Sequence, residues 1–287
     1  MSDWGKGVNN NIGWGQGADN NIGWGSIYDK SNAGETLLKA ESFFLDTFTG
    51  ASLGLSLVRL RKEYTGFCIK VRRSSDNAEQ DIGFSNDVLD TASLLDFVGS
   101  GNGFVTIIYD QVGSNNMTQT TSSLQGQIVS SGSVILKGGK PCIIRNNNGG
   151  YISTYAPNDG ATVKGMFYVG HNENQASTIL GSLGAGSDIG FLSRNSTFSA
   201  SININISLIK LNSQTETFSS QQDALVKLNQ HFLLYSELDF NFTFNSLRLG
   251  YGTSILGMYT FQELVIFENT DDAVAKENNI NSRYNLY

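Results

Sequence analysis

The chain has 287 residues, 39% hydrophobic and 16% charged, with a formal net charge of −7. That suffices for one large folded domain or two modest ones. The acidic balance excludes broad binding to phosphate backbones, which rests on Lys and Arg neutralising phosphates, so no nucleic-acid partner is expected. With 32 Gly against 2 Pro and 2 His, and many Asn and Ser, the composition reads as short strands joined by tight turns.

The first stretch, "WGKGVNNNIGWGQGADNNIGWG", places Trp4, Trp14 and Trp24 ten residues apart, and these are the chain's 3 tryptophans. Ten residues cannot build a supersecondary unit with its own core. Residues 1–34 are therefore predicted as an extended arm, bent by Gly, with Asn hydrogen-bonding its own backbone. Disorder alone does not account for regular Trp spacing. A Trp buried in a partner's pocket is often worth ~2 kcal/mol or more, and three on one tether act multivalently. The arm is expected to fold onto a partner through Trp4, Trp14 and Trp24, with Ile12 and Ile22 beside them. It is neither basic nor continuously apolar, unlike a secretory signal, and no apolar run approaches the length of a membrane span. Synthesis and folding in a cytoplasm, without membrane insertion, are expected. Residues 35–50 read as a connector.

From residue 51 the pattern becomes that of a folded domain, 51–287. In "SLGLSLVRLRKEY", Leu53, Leu57, Leu60 and Tyr64 step by four, three and four, which predicts a helix capped by Gly66. "GFCIKVRRS" reads as a strand, and its basic residues with those of "VRLRKEY" read as solvent-facing. "LDTASLLDFVGSG" predicts a short helix with Asp90 as N-cap, a Leu94–Leu95–Val98 stripe and a stop at Gly99. "GFVTIIYD" is apolar on both faces, like a central strand. In "SININISL", Ile202, Ile204, Ile206 and Leu208 alternate with polar residues, and Phe240, Phe242 and Phe244 repeat the scheme in "DFNFTFNS". "YTFQELVIF" is another buried strand. Asp271 and Asp272 favour a final helix start, with Ile280, Tyr284 and Tyr287 along one face. About a dozen short strands and three small helices predict an all-β jelly-roll sandwich. Cys68 and Cys142, in apolar strand-like surroundings, are expected as buried free thiols rather than a disulfide or metal site.

Several stretches together, "LRKEYTGFCIKVRRSSDNAEQDIGF", "LDTASLLDFVG", "GFVTIIYDQVGSNNMTQTT", "QIVSSGSVILKGGKPCI" and "ELVIFENTDDAVAKENNINSRYNLY", resemble a group of tailed-bacteriophage virion proteins. That resemblance implies a concanavalin A-like (laminin-G-like) lectin sandwich over residues 51–287. The tryptophan decapeptides are similar to the starts of appendage proteins in phages of Bacteroidetes, including crAss-like phages. The block "YTG…VRRSSD…IYDQ…N…TQ" is also similar to the catalytic sandwich of arabinofuranosidase B enzymes. In that family a Cys-rich "DYGNAE"-like segment carries the nucleophilic Glu. The comparable "GMFYVGHNENQASTILGSLGAGSDIG" has no Cys pair and no "GNAE", so the resemblance implies the fold without the activity.

A glycosidase needs two carboxyls flanking one bond, about 5–10 Å apart. Asp110, Glu173, Asp188, Glu237, Asp239 and Glu263 are candidates, but no spacing singles out a pair. Asp110 in "YDQ" reads as the hydrogen-bond centre of a buried turn. Of the histidines, His231 reads as packing or surface. His171 reads as a loop residue in "GHNEN", where His171, Asn172, Glu173 and Asn174 form a candidate grip for sugar hydroxyls on the sandwich rim. No metal, cofactor or catalytic residue is expected. The resulting expectation is a non-enzymatic virion protein, a head or tail fibre or appendage. Its arm docks on capsid or tail proteins, its lectin-like domain faces host surface glycan, and it is a homo-oligomer because weak glycan contacts gain from repetition. The alternatives are a glycan-degrading depolymerase or glycosidase, and a purely structural capsid decoration protein.

Overall fold

Leucines at alternate positions, Leu53, Leu55 and Leu57, set the first element of the sandwich. The computed structural model describes residues 43–144, 151–153, 164–173, 206–217, 221–238, 247–249 and 258–287. The arm with Trp4, Trp14, Trp24, Ile12 and Ile22 lies outside these residues, as do Ile202, Ile204, Phe240, Phe242, Phe244 and Asn174.

Helix α1 (Phe44–Thr47) precedes strands β1 (Ala51–Ser56), β2 (Ile69–Arg73), β3 (Glu79–Ile82), β4 (Phe84–Ser85) and β5 (Val88–Leu89). Helix α2 (Thr91–Val98) leads into β6 (Gly103–Ile108), β7 (Met117–Thr118), β8 (Gly126–Ser130) and β9 (Ser133–Val134). The small hairpin β10 (Leu136–Lys137) and β11 (Lys140–Pro141) is followed by β12 (Ile143–Ile144), β13 (Tyr151–Ser153) and β14 (Gly165–Glu173). Then come β15 (Ile206–Leu211), β16 (Gln214–Thr215), α3 (Gln221–Leu228), β17 (His231–Leu238), β18 (Leu247–Leu249), β19 (Met258–Phe267) and α4 (Ala273–Tyr284).

Among the described residues, the main antiparallel network runs β16-β15-β17-β14-β19-β12-β8-β6-β7-β13-β18, with β1 on β19, β2 on β6, β3 on β2 and β9 on β8. Strand β19 is where the network divides. One of its edges pairs with β14, and the other pairs with β1 along Glu263–Phe267 and with β12 at Thr260 and Phe261. Its alternation, and that of its neighbours, feeds two cores. Met166, Tyr168, Phe232, Leu234, Leu264 and Ile266 face a core shared with Leu53 and Leu55 of neighbouring β1 and with Ile69, Val71, Val105 and Ile128. Phe167, Val169, Leu233, Tyr235, Val265 and Phe267 face a second core closed by Phe44 and Leu45 of α1 and by Ile280 and Tyr284 of α4. Each fully buried side chain of this size stabilises the fold by roughly 1.5–3 kcal/mol. The fold is an all-β sandwich with a few short helices. Phe44 and Leu45, inside the stretch read as a connector, are buried.

The first long element differs from the sequence expectation. The helix expected from Leu53 to Tyr64 is strand β1 followed by irregular chain, so Gly66 caps no helix. The period-two set Leu53, Leu55 and Leu57, all buried, wins over the four-three-four set because pairing with β19 satisfies the backbone. Helix α2 follows its expected pattern. Asp90 accepts from Ser93 N at 3.0 Å, Leu94 and Val98 are buried, and Gly99 ends the helix at φ 65°. Ile280 and Tyr284 are buried on α4, whereas Tyr287 lies past its end and is 47% exposed. Cys68 and Cys142 are free and buried, and burial pushes the Cys142 thiol up to about 12.

Candidate functional site

Strand β14 ends, and β17 and β19 begin, at one rim of the sandwich. There His171 pairs with His231 across β17 and with Thr260 across β19. The chain's 2 histidines are therefore cross-strand neighbours. The stretch read as a loop is the end of β14, with His171, Asn172 and Glu173 at consecutive strand positions. His171 N donates to Thr260 Oγ1 at 2.7 Å, and Tyr168 Oη donates to the Thr260 carbonyl at 2.9 Å. That packing requires glycine at 170, where a Cβ would come within 2.4 Å of the Thr260 carbonyl oxygen.

A bulge in β19 aims a further polar group at the rim. Val169 pairs with Glu263 and Gly170 with Phe261, so Gln262 is the extra residue, a common device for redirecting a side chain. Gln262 is fully buried. Its Nε2 donates to the carbonyls of Lys137, Lys140 and Pro141 at 3.2, 3.4 and 3.2 Å, gripping the β10–β11 hairpin. Its Oε1 meets His231 Nε2 at 2.5 Å. Both imidazoles are held below their ordinary pKa. For His171 the causes are burial first, then Lys137 and His231. For His231 burial leads, the Gln262 hydrogen bond opposes it and Lys137 adds to it. The rim thus presents two neutral imidazoles at pH 7, able to accept as well as donate hydrogen bonds.

The other carboxylates have different duties. Asp110 is 2% exposed. Its Oδ1 accepts from Gly54 N and Val112 N, and its Oδ2 from Gly113 N and Asn115 N, at 2.9 to 3.1 Å. Neighbouring Gln111 accepts from Leu60 N and donates to the carbonyls of Ser56 and Val58. The "DQ" pair is a fastening for the chain after β1, as expected for Asp110. Glu263 is fully buried and accepts from Ser56 Oγ at 2.8 Å, Arg283 Nη2 at 2.5 Å and Tyr284 Oη at 3.2 Å, which ties α4 to the sheet. Tyr235 Oη donates to Glu237 at 2.7 Å, and Lys210 pairs with buried Glu277 at 3.1 Å. Asp188 and Asp239 lie outside the described residues. Glu173, two positions beyond His171 and paired with Met258, is the carboxylate residue that β14 carries to the rim.

Sequence reasoning singled out His171 but missed His231, Thr260, Gln262 and Lys137 as its company. No short-range signal joins them; strand register brings His231, Thr260 and Gln262 together, and the Gln262 side chain brings Lys137.

The fold has counterparts among known proteins. The family model for the catalytic domain of alpha-L-arabinofuranosidase B matches residues 50–142. No curated protein matches the chain. A mutant GH54 α-L-arabinofuranosidase soaked with 4-nitrophenyl α-L-arabinofuranoside is similar in structure with a TM-score of 0.52 at 15% identity. An arabinofuranosidase complexed with arabinofuranosyl-α-1,2-xylobiose gives a TM-score of 0.54, also at 15% identity. Each likeness covers 80% of this chain and 62% of the other, so the chain spans less than two thirds of those proteins' length. The expectation of a non-enzymatic module is corrected by these findings, because the matching model describes a catalytic domain and the similar structures share its fold. The physical reason for the error is that a missing local motif was taken for a missing site, although a site is assembled by strand register from distant residues. The sandwich is glycosidase-related in fold.

Proposed function

We propose that the chain is a glycan-hydrolysing sandwich of the arabinofuranosidase type, working at the rim where β14, β17 and β19 meet. The observation that carries this reading is the catalytic-domain match over residues 50–142. Hydrolysis of a glycosidic bond uses two carboxyls on either side of it, about 5–10 Å apart. Glu173 is proposed as one of them. The neutral imidazoles of His171 and His231 hydrogen-bond sugar hydroxyls. Glycan strands on a host surface are the proposed substrate.

The resemblance of the decapeptides to phage appendage proteins supports a place on a phage particle. In this reading Trp4, Trp14 and Trp24 seat the arm on capsid or tail protein, and several copies assemble together to multiply weak glycan contacts. Release of 4-nitrophenol from 4-nitrophenyl α-L-arabinofuranoside, and of reducing ends from arabinose-bearing polysaccharide, tests the activity. Turnover that falls at least a hundredfold in Glu173→Gln, with the fold intact, supports the assignment. Absence of turnover on every such substrate overturns it. Deleting residues 1–34 is expected to abolish binding to particles lacking this protein while leaving turnover unchanged.

A further inference from the structure

The side-chain amide of Gln262 has only one orientation that its surroundings accept. One end faces the carbonyl oxygens of Lys137, Lys140 and Pro141. Carbonyls cannot donate, so that end is the NH2 and the other is the oxygen. An amide oxygen cannot donate either, so the 2.5 Å contact with His231 Nε2 is an N–H···O bond from the imidazole. The neutral ring, held below its ordinary pKa chiefly by burial, carries a single proton. That proton is on Nε2, and Nδ1 is left as a bare lone pair.

What meets Nδ1 is the tip of the β10–β11 hairpin. Gly138 and Gly139 take left-handed conformations at φ 55° and 72°, and a Cβ on Gly138 would come within 2.4 Å of Nδ1. Glycine therefore serves two needs at this position, the turn and the space in front of the nitrogen. Among the described residues, the His231 ring makes one hydrogen bond, through Nε2, and none through Nδ1. A half-buried imidazole with one nitrogen fixed and the other open at a rim is arranged to receive a donor.

We infer that His231 is a preset hydrogen-bond acceptor for a glycan hydroxyl, with Gln262 as the positioning residue that fixes its tautomer and the Gly138–Gly139 turn as the wall that shapes its approach. The inference rests on the glycan reading for the ligand and on the hydrogen-bond geometry around a neutral ring for the tautomer. A sugar hydroxyl fits because it donates one hydrogen bond to Nδ1 and needs no charge in return. A carboxylate has no proton to give at neutral pH and would meet the lone pair unfavourably.

Nitrogen NMR of the full chain at pH 7.5 separates the two parts. The His231 ring is expected as the Nε2–H tautomer. Gln262→Leu removes the acceptor and is expected to bring in the Nδ1–H form. Gln262→Glu keeps an acceptor for Nε2 while losing the grip on the hairpin carbonyls, and is expected to retain the wild-type tautomer and raise the ring's pKa. A purely structural role for Gln262 would disturb the hairpin in both variants without dividing them by tautomer. A wild-type ring protonated on Nδ1, or an unchanged ring in Gln262→Leu, overturns the inference. For the ligand, arabinofuranosyl-α-1,2-xylobiose is titrated in. Binding that shifts the Nδ1 resonance, and weakens at least tenfold in Gln262→Leu, supports it. Binding or turnover that leaves Nδ1 unmoved overturns the acceptor role and leaves the hydrolase reading standing. No binding and no turnover overturns both.

Discussion

Asp110 and His231 are two polar groups in one sandwich, and their surroundings differ in kind. Asp110 has both carboxylate oxygens filled by four backbone N–H groups. His231 has one ring nitrogen committed to Gln262 and the other facing a glycine turn. A buried group whose hydrogen bonds are complete rigidifies the chain around it. A group fixed on one side and open on the other has capacity left for a ligand. The contrast teaches that "YDQ", part of the block similar to a catalytic sandwich, is scaffold, whereas the candidate site joins "GHNEN" to residues that only the fold brings to it.

The largest expected effect breaks the scaffold side. Asp110→Ala leaves four backbone N–H groups near the Gly54 and Gly113 turns without their acceptor. Each such loss costs about 1–3 kcal/mol when nothing replaces the partner, and water entry moderates the sum. A loss of about 3–5 kcal/mol in urea unfolding is expected, a large share of the ~5–15 kcal/mol that holds a domain together. A loss under about 1 kcal/mol would show that the turn does not depend on the carboxylate.

Glu277 and Lys210 stand between the two extremes and sharpen the comparison. Glu277 is 1% exposed, and its carboxyl is raised by burial, with Lys210 acting against that rise. Lys210→Met leaves the carboxyl buried without its cation, and removing one partner of a buried pair is expected to cost about 2–4 kcal/mol at pH 7. The sign with pH is specific. A carboxyl whose folded pKa is raised contributes fully below its unfolded value and loses stability as pH climbs through the folded one. The variant's deficit should therefore shrink toward pH 4 and widen toward pH 7. A deficit independent of pH would move the effect from charge to packing.

The sequence made much of the fold legible because strand alternation and helix caps are local. Asp90 and Gly99 bounded α2, and the apolar run of β19 read as a buried strand. The helix expected over β1 failed because Leu53, Leu57 and Leu60 fit a helical face as well as Leu53, Leu55 and Leu57 fit a strand. Only pairing with β19, more than 200 residues away, decides between them. The site was legible only in part for the same reason. His171 stood out by its polar neighbours, but its pairing with His231 is a matter of register. The role of Gln262 depends on a bulge, and a bulge has no sequence signature as distinct as a cap or a glycine turn.

The smallest expected effect tests whether the rim is as neutral as its geometry implies. Both imidazoles have folded pKa values below the ordinary one, chiefly through burial, with Lys137 adding to it in each case. Above about pH 6.5 folded and unfolded chains both carry neutral histidines, and this contribution to stability is complete. As pH falls through 6.5 toward the folded values, the unfolded chain takes up protons that the folded rim resists, so stability drops. Because both rings are partly open to solvent, the drop is expected to stay under about 1 kcal/mol for the pair. Lys137→Met should make it smaller by removing a cation that both rings feel. Urea midpoints at pH 7.5, 6.5 and 5.5 measure it, with His171→Gln and His231→Gln each expected to flatten the curve by part of the difference. Stability that rises on acidification would mean the rim welcomes charge. In that case a cationic grip on acidic sugars, rather than a neutral one on hydroxyls, would be what separates it from the Asp110 turn.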